Sequence, residues 1–111
     1  MPSLFRGSPF SVTASGTAVA TATQAAVTGV TFYVTDIGIS TQSTVATIGT
    51  FAVIAGASTV LWQGIFGTST VIPYEKSFST PLSGGLGNAV KITANGTAST
   101  FVNMSGVASG Q

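Results

Sequence analysis

The stretch Val30–Ser40, which reads VTFYVTDIGIS, is the longest run of β-branched and aromatic residues in the chain. These residue types favour β-strands because their side chains pack well on a pleated surface. A Thr-Gly pair precedes the stretch, and a Thr-Gln-Ser-Thr segment follows it, so turn-forming residues bound it on both sides. The sequence therefore predicts a central strand over Val30–Ser40.

The apolar residues of this strand change parity part of the way along. Phe32 and Val34 alternate in one register, whereas Ile37 and Ile39 alternate in the other. Side chains alternate between the two faces of a regular strand. Either both faces are covered, or a bulge near Thr35–Asp36 reverses the register.

The chain contains very few charges for its length. It has 111 residues, enough for one domain, of which 44% are hydrophobic and 5% charged, and its formal net charge is +1. Phosphate recognition needs clustered lysine and arginine residues, so we expect no nucleic-acid partner. A surface covered mainly by Thr, Ser, Asn, Gln and Gly is more typical of an assembly protein than of a freely diffusing enzyme. The charged residues are Arg6, Asp36, Glu75, Lys76 and Lys91.

The residues that commonly carry catalysis are absent from the sequence. There is no histidine and no cysteine, which excludes Ser-His-Asp and Cys-His nucleophilic sites and metal sites built on those ligands. The two acidic residues, Asp36 and Glu75, are the whole stock for a carboxylate pair. We favour a turn or bulge hydrogen bond for Asp36 and solvation for Glu75. The sequence predicts no enzymatic activity, no cofactor and no bound metal.

Two further patterns, a glycine-rich segment and a long uncharged segment, do not support the functions that they resemble. The glycine-rich segment Gly84–Gly87 lacks the Lys-Ser/Thr ending of a phosphate loop, so we interpret it as a flexible loop. Val45–Gly67 contains no charge and is long enough to span a bilayer, but many Gly, Ser and Thr residues interrupt it. We predict no membrane partner, and the segment preceding Thr17 is too polar for the apolar part of a secretory signal.

The rest of the chain contains several short segments with strand character, separated by turn signals about every ten residues. Gly56–Ser58 and Asn95–Gly96 are interpreted as hairpin turns. In Ala89–Ala94, Val90 and Ile92 are predicted to point inward. The pattern predicts an all-β protein, an antiparallel, jelly-roll-like β-sandwich of about seven or eight short strands. The predicted segments are Gly16–Gln24, Val30–Ser40, Val45–Ala55, Thr59–Phe66, Thr70–Tyr74, Phe78–Leu82, Ala89–Ala94 and Ser99–Ser105.

The predicted domain organisation is an extended N-terminal arm over residues 1–15, the sandwich over residues 16–106 and a C-terminal tail over residues 107–111. The arm carries Leu4, Phe5 and Phe10 among small and polar residues. Two interpretations stay open, a frayed terminus or an arm whose three large apolar side chains dock on a partner.

The aromatic residues outside the arm allow two interpretations. Trp62, the only tryptophan, lies in a dense apolar strand and is expected to be a core anchor. Alternatively, Trp62, Tyr33 or Tyr74 would form a platform on which a sugar stacks.

Four short stretches occur in an order that resembles small β-sandwich proteins from the structural gene regions of tailed bacteriophages, the capsid cement or decoration proteins. The similarity spans about Gly16 to Gly106. The stretches are Phe32–Ser40, Ser58–Trp62, Thr80–Gly84 and Phe101–Gly106.

This resemblance implies a homotrimeric, jelly-roll-like knob on the exterior of the virion capsid. Its partners would be the major capsid protein and two further copies of itself, and it would stiffen the head lattice without chemistry. The low charge and the strands that are apolar on both faces agree with this expectation. One alternative function is a carbohydrate- or receptor-binding module of a phage tail fibre. Another is a secreted or cell-surface assembly subunit, which polymerisation of the protein alone into filaments would favour.

Overall fold

The computed structural model describes residues 8–41, 48–67, 74–96 and 99–110, which form eight β-strands. Among these residues no helix is long and apolar enough to cross a membrane. The described part of the long uncharged segment, residues 48–67, forms two strands and a turn. The strands are β1 (Ser8–Gly16), β2 (Val19–Gln24), β3 (Val30–Thr41), β4 (Ile48–Ala55), β5 (Thr59–Gly67), β6 (Tyr74–Ser83), β7 (Val90–Asn95) and β8 (Thr100–Gly110).

The strands form two four-stranded antiparallel sheets. Sheet 1 has the order β1-β8-β3-β6, and sheet 2 has the order β2-β7-β4-β5. Apart from the β4–β5 hairpin, which lies within sheet 2, the strands that follow one another in the chain never pair with each other. This arrangement of eight strands in two facing sheets is a jelly roll, so the predicted fold class is confirmed.

The hydrophobic core lies between the two sheets. Ala20 and Ala22 on β2 lie opposite Ala94 and Ile92 of the neighbouring strand β7, and all four side chains are buried. As predicted, Val90 and Ile92 point inward. The least exposed large side chains, all below 2% exposed, include Val34, Ile39, Val53, Ile92 and Met104.

The parity change in β3 is caused by a bulge. Val34 pairs with Gly106 and Asp36 with Ser105, so Thr35 is one residue more on β3 than on β8. The extra residue reverses the alternation. Phe32 and Val34 before it and Ile37 and Ile39 after it are therefore all buried in the same core. The bulge predicted near Thr35–Asp36 is confirmed, and it gives both halves of the strand one inner face.

The limits of the sandwich differ from the predicted ones. Residues 8–15, assigned to the arm, belong to β1, which pairs with β8 along its whole length. Residues 107–110, where the tail was expected, continue β8 and pair with β3. Prolines and small residues favoured an arm and a tail, although Phe10, Val12 and Ala14 keep the alternation of a strand and pack against the core. Residues 1–7 and 111 lie outside the described part, as do residues 70–73 of the predicted segment Thr70–Tyr74.

The turn predictions have different outcomes. Gly56, at φ +62°, begins the turn between β4 and β5, which pair as the predicted hairpin. Asn95–Gly96 does not close a hairpin, because β7 and β8 lie in different sheets. Gly96 N–H instead donates to the carbonyl of Ala18, which anchors the crossing to the β1–β2 connection.

The glycine-rich segment Gly84–Gly87 is tied to the start of β3. Gly84 N–H donates to Phe32 carbonyl at 2.9 Å, and Gly87 N–H donates to Val30 carbonyl at 2.8 Å. The Asn88 side chain also donates to Gly84 carbonyl at 2.9 Å. These N–H groups serve the fold and do not form a phosphate cradle, and the loop predicted to be flexible is fixed by hydrogen bonds.

Gly106 is required by the bulge. A Cβ atom added to Gly106 would overlap the carbonyl oxygen of Tyr33, a backbone atom that cannot turn away. We expect Gly106→Ala to lower the free energy of unfolding by about 1–3 kcal/mol, measured by chemical denaturation. Gly38→Ala is the matched control on the neighbouring strand, because its Cβ would meet only the movable amide end of Asn103. Equal losses in the two variants would contradict a rigid bulge.

A buried threonine pair at the far end of β3 gives a second prediction. Thr41 is 4% exposed, and its hydroxyl has no hydrogen-bond partner among the described residues. Thr100, which pairs with Thr41, donates to the carbonyl of Ala18 at 3.3 Å. We expect Thr41→Val to raise the free energy of unfolding by about 1 kcal/mol and Thr100→Val to lower it by a similar amount. Thermal or chemical unfolding of both variants tests this, and a loss of stability in Thr41→Val would contradict it.

Candidate interaction surfaces

The outward face of sheet 1, termed the sheet 1 face, is defined by rows of directly opposed residues, which share one side of an antiparallel sheet. One row is Thr13, Asn103, Gly38 and Glu75, and the next is Ser11, Ser105, Asp36 and Ser77. These eight residues include both carboxylates of the chain and no cation. The face is therefore acidic in these rows.

Asp36 is held by hydroxyl groups on both sides. Ser77 Oγ donates to one carboxylate oxygen at 2.6 Å, and Thr35 Oγ1 lies 2.8 Å from the other. Thr35 Oγ1 also lies 3.3 Å from the carbonyl of Ser105, but its proton serves one acceptor at a time. The hydrogen bond from Ser77, and after it the one from Thr35, lowers the pKa of Asp36, while slight burial acts in the opposite direction. The predicted structural role of Asp36 fits this geometry.

The Asp36–Ser77 hydrogen bond also marks an irregular stretch of β6. Between the paired residues Val34–Leu82 and Asp36–Ser77, β3 has a single residue, Thr35, whereas β6 has residues 78–81. This excursion turns Phe78 into the core, where it is 9% exposed. Pro81, in the same excursion of an edge strand, costs no ladder hydrogen bond. The hydrogen bond from Ser77 to Asp36 thus fixes β6 at the point where β6 leaves its regular pairing with β3.

A shallow depression of about 220 Å³ separates Asp36 and Glu75 and is also lined by Asn103 and Lys76. In the described ranges no group of three His, Cys, Asp or Glu side chains could hold a metal ion. Lys76 Nζ lies over the ring of Trp62, 5.3 Å from its centroid. This depression offers two carboxylates and an amide to the solvent, but no paired base and nucleophile.

The outward face of sheet 2, termed the sheet 2 face, contains three rows of four residues. Three of its aliphatic residues are strongly exposed, Ile65 at 63%, Val19 at 54% and Val60 at 48%. Lys91 is the one charged residue among these twelve. The rows are Val19-Asn95-Thr50-Ile65, Thr21-Thr93-Ala52-Gln63 and Thr23-Lys91-Ile54-Val60.

Hydroxyl groups on the sheet 2 face are partly paired with each other. Thr21 Oγ1 and Thr93 Oγ1 lie 2.9 Å apart and share a hydrogen bond. A depression of about 540 Å³ beside them is lined by Gln63, Gly64 and Ile65. No aromatic side chain belongs to the twelve residues of this face. The sheet 2 face is therefore an aliphatic and threonine surface with one cation.

Two of the three aromatic candidates for sugar stacking are half-buried and pack against the core of the sandwich. Trp62 contacts Phe78 edge to face with centroids 5.2 Å apart, and its Nε1 is buried with no partner among the described residues. Tyr74 packs on Phe51 at 5.0 Å. Tyr33 is half-buried on the sheet 1 face, opposite Val107. Trp62 is thus a core anchor at the β5–β6 edge, and Tyr33 alone keeps an outward position.

Of the three predicted docking residues, Phe10 lies among the described residues, whereas Leu4 and Phe5 lie outside them. Phe10 lies in β1 and packs edge to face on Phe32, with ring centroids 5.2 Å apart. Its ring covers the chain's own core, and its docking on a partner stays a prediction.

An exposed apolar end was missed in the sequence. Val27, between β2 and β3, and Leu86, between β6 and β7, are 47% and 69% exposed. Both loops meet the start of β3, since Val30 N–H donates to Val27 carbonyl and Gly87 N–H donates to Val30 carbonyl. Ser8, the first described residue, lies at this end too. It pairs with Ala108 of β8, and Ala108 pairs with Phe32 near the start of β3. This end of the sandwich, with Val27, Leu86 and the start of β3, is termed the loop end. The one sequence feature that could have predicted it is a large apolar residue inside each of two loops rich in glycine and alanine.

The lowered pKa of Asp36 predicts a pH dependence of stability. The unfolded chain binds this proton more readily than the folded chain, so the free energy of unfolding should decrease as the pH falls through about 3.9 and below. Asp36→Asn should be less stable than the wild type at neutral pH, and the difference should shrink toward about pH 3. Because Asp36 is exposed, the effect should be small.

The same prediction has a direct spectroscopic test. Asp36 is the only aspartate, so its side-chain carboxyl carbon gives one signal that can be titrated by NMR. Ser77→Ala should raise the pKa of Asp36 toward its usual value. An unchanged titration in Ser77→Ala would contradict the assigned hydrogen bond.

No protein-family model and no curated protein sequence matches this chain. Among solved structures, a chain of Desmodium yellow mottle tymovirus is similar, with a TM-score of 0.51 and 10% identity over 96% of this chain and 87% of that one. A carbohydrate-binding module, CBM36 in complex with calcium and xylotriose, has a TM-score of 0.45 and 13% identity over 86% of this chain and 77% of that one. At these identities the likeness to the tymovirus chain shows a shared β-sandwich fold.

Proposed function

We propose that this chain is a non-enzymatic structural protein of a virus particle, a cement or decoration protein of a tailed-phage head. In this proposal it binds the major capsid protein on the capsid exterior and stabilises the head lattice as a homotrimer. It acts through packing and needs neither a cofactor nor a reaction.

The observation that carries the proposal is the exposure of large apolar side chains on a chain that contains only five charges. A soluble monomer usually keeps charged residues on about a quarter or more of its surface. Exposed aliphatic side chains with so few charges favour a surface that other protein covers. Within the described ranges, the exposed large hydrophobic residues are Val19, Val27, Val60, Ile65, Leu86 and Phe101.

The loop end is the part of this surface that we assign to the capsid. It carries Val27 and Leu86, and its loop residues 25–29 and 84–89 include no charge. The chain that precedes Ser8, with Leu4 and Phe5, joins the domain at the same end. An apolar loop end extended by Leu4 and Phe5 would provide a compact docking area.

Two likenesses support a virion role. The tymovirus chain has this fold over nearly the whole length of the present chain. The four short stretches described above resemble phage cement proteins. Neither likeness specifies the partner, so the proposal depends on a binding experiment.

Co-sedimentation with purified phage heads tests the docking surface. We expect the wild-type protein to sediment with the heads, and the Leu4→Ser/Phe5→Ser and Leu86→Ser variants to lose severalfold in occupancy, because apolar area is removed from the contact. Phe101→Ser is the matched control, since Phe101 is also exposed but lies at the opposite end of β8. Absence of wild-type binding would overturn the cement function, and equal losses in all variants would overturn the assigned docking end.

A glycan array on the same preparation tests the tail-fibre alternative. Tyr33→Ala is the informative variant, because Trp62→Ala would also remove a side chain that closes the sandwich edge. Saturable sugar binding that Tyr33→Ala abolishes would favour the carbohydrate-binding module over the cement protein.

A further inference from the structure

Phe101 is the one exposed residue among the aromatic side chains that the structure describes. It is 41% exposed on the sheet 1 face, in a row with Ser15 and Ser40. Its ring contacts no other aromatic ring of the described residues. Phe101 therefore leaves part of its ring available to another molecule, on a face that is otherwise polar.

Phe101 borders a depression in the sheet 1 face. This depression has a volume of about 460 Å³, and Thr13 and Asn103 also line it. Asn103 lines the depression of about 220 Å³ beside Asp36 and Glu75 as well. The two depressions therefore adjoin at Asn103 and form one shallow groove across the sheet, termed the sheet 1 groove.

The sheet 1 groove offers an aromatic ring at one end and hydrogen-bonding groups at the other. The amide of Asn103 and the carboxylate of Glu75 have no hydrogen-bond or ion-pair partner among the described residues. An amide both donates and accepts hydrogen bonds, whereas a carboxylate only accepts them. Strand geometry places the Cα atoms of Phe101 and Asn103 roughly 7 Å apart along β8, and those of Asn103 and Glu75 roughly 10 Å apart across β3.

We propose that the sheet 1 groove binds a short neutral oligosaccharide. One sugar ring stacks on Phe101, Asn103 bonds to hydroxyl groups in the middle of the groove, and a further sugar donates a hydroxyl hydrogen bond to Glu75. This inference goes beyond the proposed function, because capsid docking is assigned to the loop end and Phe101 lies at the other end of β8.

The chemistry of the groove selects this class of ligand. A sugar ring has a C–H face that packs on an aromatic ring and a rim of hydroxyl groups that amides and carboxylates bind. A purely apolar ligand would leave the amide and the carboxylate unpaired, which lowers its affinity. An acidic sugar or a phosphate is repelled, because the three rows of the groove contain Asp36 and Glu75 and no cation.

A glycan array printed at high density tests the site, because repeated contacts make weak binding to a shallow groove measurable. The probes are neutral gluco-, manno- and galacto-oligosaccharides, together with counterparts that carry sialic acid or uronic acid. We expect the wild type to bind at least one neutral series, and to bind its acidic counterpart severalfold more weakly.

Variants of the groove residues identify the contacts. Phe101→Leu should lower binding about five- to tenfold, since an apolar side chain remains but the aromatic face is lost. Phe101→Tyr keeps the ring and should bind like the wild type. Asn103→Ala and Glu75→Gln should each lower binding severalfold, because a hydrogen-bonding group is removed or loses its charge. Circular dichroism of each variant checks that the sandwich is intact.

Two control variants lie outside the groove. Tyr33→Ala removes an aromatic residue of the same face, but nearer the loop end, where Tyr33 pairs with Val107. Ile65→Ala removes an exposed apolar side chain of the sheet 2 face. We expect both variants to bind the neutral oligosaccharides like the wild type.

Four outcomes would overturn the inference. They are a wild type that binds no neutral probe, equal binding of the acidic counterparts, a Phe101→Leu variant that binds like the wild type, and a control variant that loses as much binding as Phe101→Leu. The co-sedimentation experiment reports separately on the proposed function. Head binding without sugar binding would refute the groove and leave the cement function standing, and sugar binding without head binding would do the reverse.

Discussion

Thr35 inserts one extra residue into β3, and the core depends on that insertion. Without it, Ile37 and Ile39 would point away from the side chains of Phe32 and Val34. With it, both halves of a twelve-residue strand face sheet 2. The bulge also sets two requirements on its neighbours. Gly106 has no room for a Cβ atom, and Asp36 turns outward to accept a hydrogen bond from Ser77.

Sequence patterns were sufficient for the parts of the fold that depend on local alternation. The central strand, its bulge and the strand with Val90 and Ile92 follow from the spacing of apolar residues, because burial on one face imposes a period of two. The connection after Asn95 was misread. An Asn-Gly pair favours a tight turn, but whether the next strand pairs with the previous one or crosses to the other sheet is decided by long-range packing.

The ends of the domain and its surfaces were harder to predict for a related reason. β1 alternates Phe10, Val12 and Ala14 on its inner side with Ser11, Thr13 and Ser15 on its outer side. This period of two was a signal for a strand, but the prolines and small residues around it favoured an extended arm. The rows that bring Asp36 and Glu75 to one face and Lys91 to the other depend on the order of strands in each sheet. No spacing along the chain carries that information.

The position of β8 has a consequence for how the protein must fold. β1 pairs with no strand of sheet 1 other than β8, and β8 also separates β1 from β3. Among the described strands, β1 therefore has no hydrogen-bonded partner until β8 has left the ribosome. Contacts between such distant parts of a chain form slowly, and unpaired strand edges that wait for them are prone to aggregate. For a protein with so few charges, aggregation is therefore most favoured in the interval between the synthesis of β1 and its pairing with β8.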